Sequence, residues 1–300
     1  NRVGIGTTSP SSTLSVNGVY TGEYPVDSGL NNVVMGPSNA GAQTTGEDNF
    51  ISGGGNLTLA TSINTTTANG YQNAVSVSSS SYNSLFGYRN MYTNTGASSY
   101  NSLFGYRNLY NAIGTHSYNF MAGGNNAFSV TGGSTYATMI GRENAYLATS
   151  VNNSTMIGYR NGYSNTLAMS HNNIIGYANA YFTDAAMSYN TIIGSQNGYN
   201  ATNIDYSILI GTQNAYSAGN LDYTALLGRE NGYNSSSITY TIMSGYANAK
   251  YATSTITDSA LFGRQNAWNG DDIQNSILSG AENAKVAEFI RYSSIFGRQN

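Results

Sequence analysis

Apolar residues recur along this chain in a short phrase that returns every 17 or 18 residues. In Ser207-Ile208-Leu209-Ile210-Gly211-Thr212-Gln213-Asn214-Ala215 the phrase is an aliphatic run, a glycine, a polar pair, an asparagine and a small residue. The glycine marks the period: Gly36, Gly53, Gly70, Gly87, Gly105, Gly123, Gly141, Gly158, Gly176, Gly194, Gly211, Gly228, Gly245, Gly263, Gly280 and Gly297. Two residues before it stands an aliphatic side chain in most copies, from Leu85, Leu103 and Met121 through Ile174, Ile192 and Leu209 to Leu278 and Ile295. In one copy Ile242 occupies the column a place early, beside Met243. This column is the expected core. Its flanks are rich in β-branched residues over a stretch of about five, which favours a strand, since a helix needs a longer periodic window. Self-similarity at a fixed short period is the mark of a solenoid, in which each coil buries its apolar residues against the next.

Three residues after each glycine stands an asparagine: Asn39, Asn56, Asn73, Asn90, Asn108, Asn126, Asn144, Asn161, Asn179, Asn197, Asn214, Asn231, Asn248, Asn266, Asn283 and Asn300. Asn tolerates left-handed backbone angles and bonds its own backbone, so it is expected to mark a turn. In stacked coils its amides are expected to bond in register as a ladder. With two short strands and two turns per coil, one repeat at about 3.3 Å per residue circles a thin core once. Coils about 4.8 Å apart then make a rod on the order of 75 Å long. The expected fold is all-β: a parallel β-solenoid, or β-roll, of about sixteen coils over residues 31–300. Residues 1–30 form a separate N-terminal segment, whether knob, linker or cap.

Aromatic residues add further columns. Five after the glycine come Tyr92, Tyr110, Phe128, Tyr146, Tyr163, Tyr181, Tyr199, Tyr216 and Tyr233, then Lys250 interrupts before Trp268. Five before it come Tyr82, Tyr100, Tyr118 and Tyr136, then Asn153 and His171, then Tyr189, Tyr206, Tyr223, Tyr240 and finally Tyr292. Offset stacking adds about 0.5–1.5 kcal/mol per pair beyond area burial. Coil-to-coil glue or a subunit interface is therefore the first reading of these columns, and a sugar-stacking surface the second. Tyr88, Tyr106, Tyr159, Tyr177 and Tyr246, one residue after the glycine, are the expected exposed contacts for a receptor.

Composition narrows the partners. The chain is 8% charged with net charge -3 and 11 scattered Lys and Arg residues, so no basic field attracts nucleic acid. No apolar run approaches the length of a membrane span, and the lack of cysteine removes disulfides and thiolate metal sites. Aromatics at 12% argue for an ordered chain. The adjacent acids Glu47-Asp48 and Asp271-Asp272 could each be half of a glycosidase dyad, but solvated loop acids are the plainer reading because no insertion breaks the rhythm. Asp205 and Asp222 fall in one column, about 4.8 Å apart if the register holds, where like charges must face water or share a cation such as Ca²⁺. His116 and His171 lie in different columns and are read as polar ladder members. Arg89 and Arg107, like Glu143 and Arg160, share the column two after the glycine and are read as surface charge ladders. No catalytic, cofactor or further metal residues are expected.

The phrase quoted above resembles the head repeats of trimeric autotransporter adhesins, over roughly residues 31–300. That resemblance implies a left-handed roll, homotrimers and an extracellular place. Those repeats are usually a few residues shorter, carry Ala or Ser where this chain has Asn, and lack its tyrosine columns. Val3-Gly4-Ile5-Gly6-Thr7-Thr8-Ser9-Pro10, followed by Leu14-Ser15-Val16-Asn17-Gly18, is similar to a segment common in phage tail fibres, often those with a self-cleaving C-terminal chaperone. The two resemblances together imply a structural fibre or adhesin of a virion tail or bacterial surface, attaching to cell-surface glycans or other receptors. A self-assembling extracellular filament or sheath is the alternative, and a polysaccharide-degrading tailspike a lesser one. Ice binding lacks the threonine column it needs: three before the glycine stand Ser84, Ser102, Phe120, Thr138, Thr155, Asn173, Thr191 and Ile208.

Overall fold

A computed structural model describes residues 3–5, 14–16, 33–36, 38–39, 47–251, 255–268, 271–284 and 288–299. All its regular elements among these residues are strands, and their pairings are parallel. The fold is a parallel β-solenoid of coils about 17 residues long. It divides into two compact units, Asn1–Ser129 with Gly133–Thr135, and Val130–Gly132 with Tyr136–Asn300. Of the N-terminal segment expected at 1–30, Val3–Ile5 pairs with Leu14–Val16, and the rest lies outside the described residues, as does Asn300.

From Phe50 onward each coil contributes a five-residue strand that ends in the repeating glycine and the residue after it, and a second strand of two to four residues where the chain continues. The first long-sheet strand, Val33–Met35, has three residues, and Ser76–Val77 pairs with Thr93–Asn94 as a further short strand. In the first unit Phe50–Gly54, Thr67–Tyr71, Ser84–Tyr88, Ser102–Tyr106 and Phe120–Gly124 pair in order. Their short counterparts run from Ile63–Asn64 to Ser134–Thr135. In the second unit the long strands run from Thr138–Arg142 to Ser294–Arg298, and the short ones from Ser150–Asn152 to Glu288–Arg291. Glycine pairs with glycine throughout, for example Gly194 with Gly211 and Gly211 with Gly228.

The column two before the glycine is the core of the long-strand sheet. Leu85, Leu103 and Met121 in the first unit, and Met139, Ile174, Leu209 and Leu278 in the second, are fully buried. Met243, not Ile242, holds this position: Met243 pairs with Leu226 and is buried, whereas Ile242 points outward and is 47% exposed. Alternation along a strand fixes this, because the register puts neighbours on opposite faces and an aliphatic identity does not.

The asparagine column lies in a turn, as expected, but the asparagine is not the residue that takes the left-handed angle. The left-handed residues flank it: Gln213 (φ 55°) and Ala215 (φ 53°) around Asn214, and Arg107 (φ 54°) and Leu109 (φ 51°) around Asn108. The asparagine itself is fully buried. Asn214 donates its backbone N–H to Oδ1 of Asn197 at 3.0 Å, while its Nδ2 donates to the carbonyls of Ile210 and Gly228, each at 2.9 Å. Asn108 repeats the pattern with Asn90, Phe104 and Gly123. A buried corner leaves carbonyls that need donors, and the carboxamide supplies both a donor pair and an acceptor there. The glycine permits the close approach. A Cβ on Gly211, whose φ is +126°, would lie 1.8 Å from the Gly228 carbonyl oxygen, so no other residue fits.

A second buried polar ladder lies four residues before the glycine, at the other corner. In the first unit Asn101 bonds Asn83 and Asn119 bonds Asn101; in the second Asn190 bonds Asn172, and Ser207 then Thr224 continue the column. Between the two corners the short strands present their own inner column: Ile63, Ser80, Ser98, His116 and Ser134 in the first unit, and Val151, Met169, Met187, Ile204, Leu221 and Ile238 in the second, all buried.

Candidate binding surface

Because the interior is filled by packing residues and amide ladders, any binding chemistry falls to the outward side chains. The residue before the glycine faces out and is largely aliphatic in the second unit: Ile140, Ile157, Ile175, Ile193, Ile210 and Leu227. Ile140, Ile210 and Leu227 are 36–39% exposed. This makes a stripe of half-exposed apolar side chains in register along the sheet.

The aromatic columns are stacked ring on ring. Five after the glycine, Tyr92 lies 5.1 Å from Tyr110, and Tyr110 5.0 Å from Phe128. In the second unit Tyr146, Tyr163, Tyr181, Tyr199, Tyr216 and Tyr233 succeed one another at 4.8–5.1 Å. Burial pushes the Tyr163 and Tyr199 phenols up, helped by the neighbouring phenols. Five before the glycine, Tyr82, Tyr100 and Tyr118 stack at 4.8 Å, and Tyr189, Tyr206, Tyr223 and Tyr240 at 4.9–5.2 Å. Each of these sits at positive φ, a conformation unfavourable for an aromatic residue that the stack repays. Tyr88 and Tyr106 stack at 5.3 Å, with the Arg89 and Arg107 guanidinium groups 4.9–5.0 Å from their rings. Tyr159 and Tyr177 lie 5.7 Å apart and tilted, Arg160 covers Tyr159, and Arg229 lies 5.7 Å from Tyr246. The faces on which a sugar would stack are thus mostly taken by neighbouring rings and guanidinium groups, and edges and hydroxyls are what these columns offer.

The charges two after the glycine are not simply surface ladders. Glu143 is 7% exposed and accepts from Arg160 Nε at 2.7 Å and Arg142 Nε at 3.1 Å, and its carboxylate raises the Arg160 pKa. Glu230, equally buried, pairs with Lys250 Nζ at 2.6 Å and Arg229 Nε at 3.1 Å. Where Lys250 interrupts the aromatic column, its ammonium takes a ring's place, 5.5 Å from Tyr233 and 4.7 Å from Trp268. Burial works against that charge, but the Glu230 carboxylate holds the Lys250 pKa above its ordinary value.

The remaining acids are mostly engaged. Asp205 pairs in register with Asp222, accepts the Ser188 N–H at 2.7 Å and receives Asn203 Nδ2 at 3.2 Å. Burial and then the Asp205 charge push Asp222 up. Asp272 accepts from Arg291 at 2.6 Å, which holds its carboxyl below the usual range. Among the described residues no group of three or more His, Asp or Glu could hold a metal ion. His116 is fully buried in the inner column between Ser98 and Ser134 instead of bonding along a ladder. Neither ring nitrogen finds a partner in good geometry, and burial lowers its pKa to about 4 against a weaker pull from the Ile113 backbone. His171 is exposed and stacks on Tyr189 at 4.6 Å.

Two shallow grooves open between the aromatic column five before the glycine and the strand residue three before it, both in the second unit. One, of about 380 Å³, runs along Tyr206, Tyr223 and Tyr240 past Ile208, Ala225 and Ile242. The other, of about 470 Å³, is lined by Asn153, Thr155, His171, Asn173, Tyr189 and Thr191, with Asn172 and Asn190 at its floor. The break of the tyrosine column at Asn153 and His171 is the sequence signal for the second groove. Comparison with known proteins gives no matching family model, no matching curated protein and no matching solved structure.

Proposed function

We propose that this chain is a structural fibre or adhesin, placed outside the cell on a virion tail or bacterial surface, which attaches to cell-surface glycans or other receptors and is not an enzyme. The observation that carries the reading is the division of labour across the coils: among the described residues the interior is taken up mainly by packing side chains and buried polar ladders, and the exterior repeats one array of side chains coil after coil. Four of the described acids, Glu143, Glu230, Asp272 and Asp205, are committed to ion pairs or hydrogen bonds, which supports a non-catalytic role.

The apolar stripe of Ile140, Ile157, Ile175, Ile193, Ile210 and Leu227 is the proposed self-interface. A partner that matches a column repeating every coil must repeat at the same spacing, and a second copy of this chain does. Homotrimers follow from the adhesin resemblance. Such assembly multiplies weak receptor sites into avid attachment. Sedimentation across a dilution series tests it: a stable trimer is expected, a monomer overturns the self-interface, and open-ended polymers put a filament or sheath in its place. Attachment of the purified assembly to cells tests the adhesive role, and failure to attach to any cell or glycan surface overturns it.

A further inference from the structure

We propose that the polar groove around His171 is a binding site for a neutral saccharide. This rests on the attachment reading above and gives it a place. The column five before the glycine runs in the second unit through Tyr136, Asn153, His171, Tyr189, Tyr206, Tyr223 and Tyr240, all in the same left-handed backbone conformation. Between Tyr206 and Tyr240 every interior ring has both faces covered by its neighbours. At His171 this fails. One face of the imidazole lies on Tyr189 at 4.6 Å and 10°. The other faces the coil of Asn153, whose side chain carries no ring, and the His171 N–H bonding to the Asn152 carbonyl fixes that adjacency. The column thus contains a gap one ring thick, bounded on one side by an exposed aromatic face.

The floor and wall of the gap are polar where the neighbouring groove is not. Three before the glycine stand Thr155, Asn173 and Thr191, in place of the Ile208, Ala225 and Ile242 of the apolar groove. Among the described residues the side chains of Asn153, Thr155, His171, Asn173 and Thr191 make no hydrogen bond, so their donors and acceptors are available to a ligand. No acid, lysine or arginine lines the groove. A flat ligand with an apolar face and a rim of neutral hydroxyls satisfies such a site: the pyranose ring lies on the His171 face in the slot a tyrosine ring would fill, and the amides and hydroxyls reach its rim.

The slot is tested by filling it. Asn153→Tyr restores the ring that the column lacks, and Asn173→Ala removes a rim partner without adding bulk. The intact chain and both variants are titrated with maltotriose, cellotriose, chitotriose and mannotriose, followed by saturation-transfer NMR and by the His171 ring resonances. The wild type is expected to bind at least one of them at millimolar or better affinity with a shift at His171. Asn153→Tyr is expected to bind at least tenfold more weakly while melting no lower than wild type, and Asn173→Ala to be weakened severalfold. No binding of any of the four by the wild type, or binding undiminished in both variants, overturns the site. If cell attachment persists in Asn153→Tyr while the trisaccharides fail, the groove is wrong and the adhesive reading stands. If the wild type attaches to nothing, the adhesive reading falls with it.

Discussion

The two units solve the same packing problem in opposite ways. In the second, the inner column of the short strands is large and aliphatic, Met169, Met187, Ile204, Leu221 and Ile238, and the residue four after the glycine is small: Gly162, Ala180, Gly198, Ala215 and Gly232. In the first, the inner column shrinks after Ile63 to Ser80, Ser98, His116 and Ser134; Met91 and Leu109 enlarge the facing position in the coils of Ser98 and His116, and Val77 is buried in the coil where that position is Ala74. The columns touch. Met91 Sδ lies 3.9 Å from Ser80 Oγ, and a Cβ on Gly198 or Gly232 would meet Ile204 or Ile238 at 2.3 and 2.4 Å. In the coils of Ser98, Ile204 and Ile238 a large residue in one column goes with a small one in the other, an exchange of size between positions that close packing favours. The difference is also chemical. Serine and histidine bring polar atoms inside, which the first unit satisfies in part, as where Asn94 Nδ2 donates to Ser98 Oγ at 3.0 Å.

The largest effect is expected from a charge placed in the inner column. Leu221→Asp buries a carboxylate among aliphatic neighbours and removes a packed side chain, costing more than about 4 kcal/mol and unfolding its coil. Ser98→Asp at the equivalent place meets the Asn94 amide and should cost less by about 2 kcal/mol. Denaturant titration of both variants checks the order. Equal losses would show that the two interiors do not differ in polarity.

Acid should loosen the first unit and spare the second. The His116 pKa falls from its ordinary 6.5 to about 4 in the folded chain, because burial penalises the imidazolium. The folded state therefore binds fewer protons than the unfolded one between these values. The stabilising preference for the neutral ring is complete above pH 6.5, is lost as the pH falls toward 4, and amounts to about 3 kcal/mol. Amide protection factors, taken relative to the slower intrinsic exchange of acid solution, should fall between pH 7 and 4 more across residues 98–135 than across 151–240. His116→Ser should remove that difference whatever its effect on absolute stability.

The comparison also explains what could be read beforehand. The coil, its length and the core column two before the glycine were legible because their causes act locally and without substitutes: only glycine fits beside the next coil's carbonyl, and only a carboxamide of asparagine's length completes the buried corner. The second polar ladder was not, since Asn190 gives way to Ser207 and Thr224, which resemble ordinary turn residues. The inner column of the short strands was hidden by volume exchange, because Ser98 facing a large neighbour and Ile204 facing Gly198 look like unrelated positions until the columns are placed together. Ile242 was misassigned because aliphatic residues occupy both faces of its strand. The polar groove was visible only as an irregularity at Asn153 and His171, without meaning until the intact stack showed what was missing there.

The smallest and sharpest test lies at Gly198. Its φ is +63°, but Ala180 and Ala215 hold the same column at 50° and 53°, so the backbone there accepts a methyl group. A cost for Gly198→Ala must then come from the 2.3 Å approach of the new Cβ to Ile204 Cδ1. Overpacking of this kind costs about 1–3 kcal/mol. Ile204→Val deletes the methyl group that stands in the way, at a cost of about 1 kcal/mol by itself. The double variant should be more stable than the sum of the two losses by at least about 1 kcal/mol, a coupling that thermal or denaturant melting of the four proteins can resolve. Additive losses would mean that the facing columns do not share one volume, and the contrast between the two units would reduce to a change of composition.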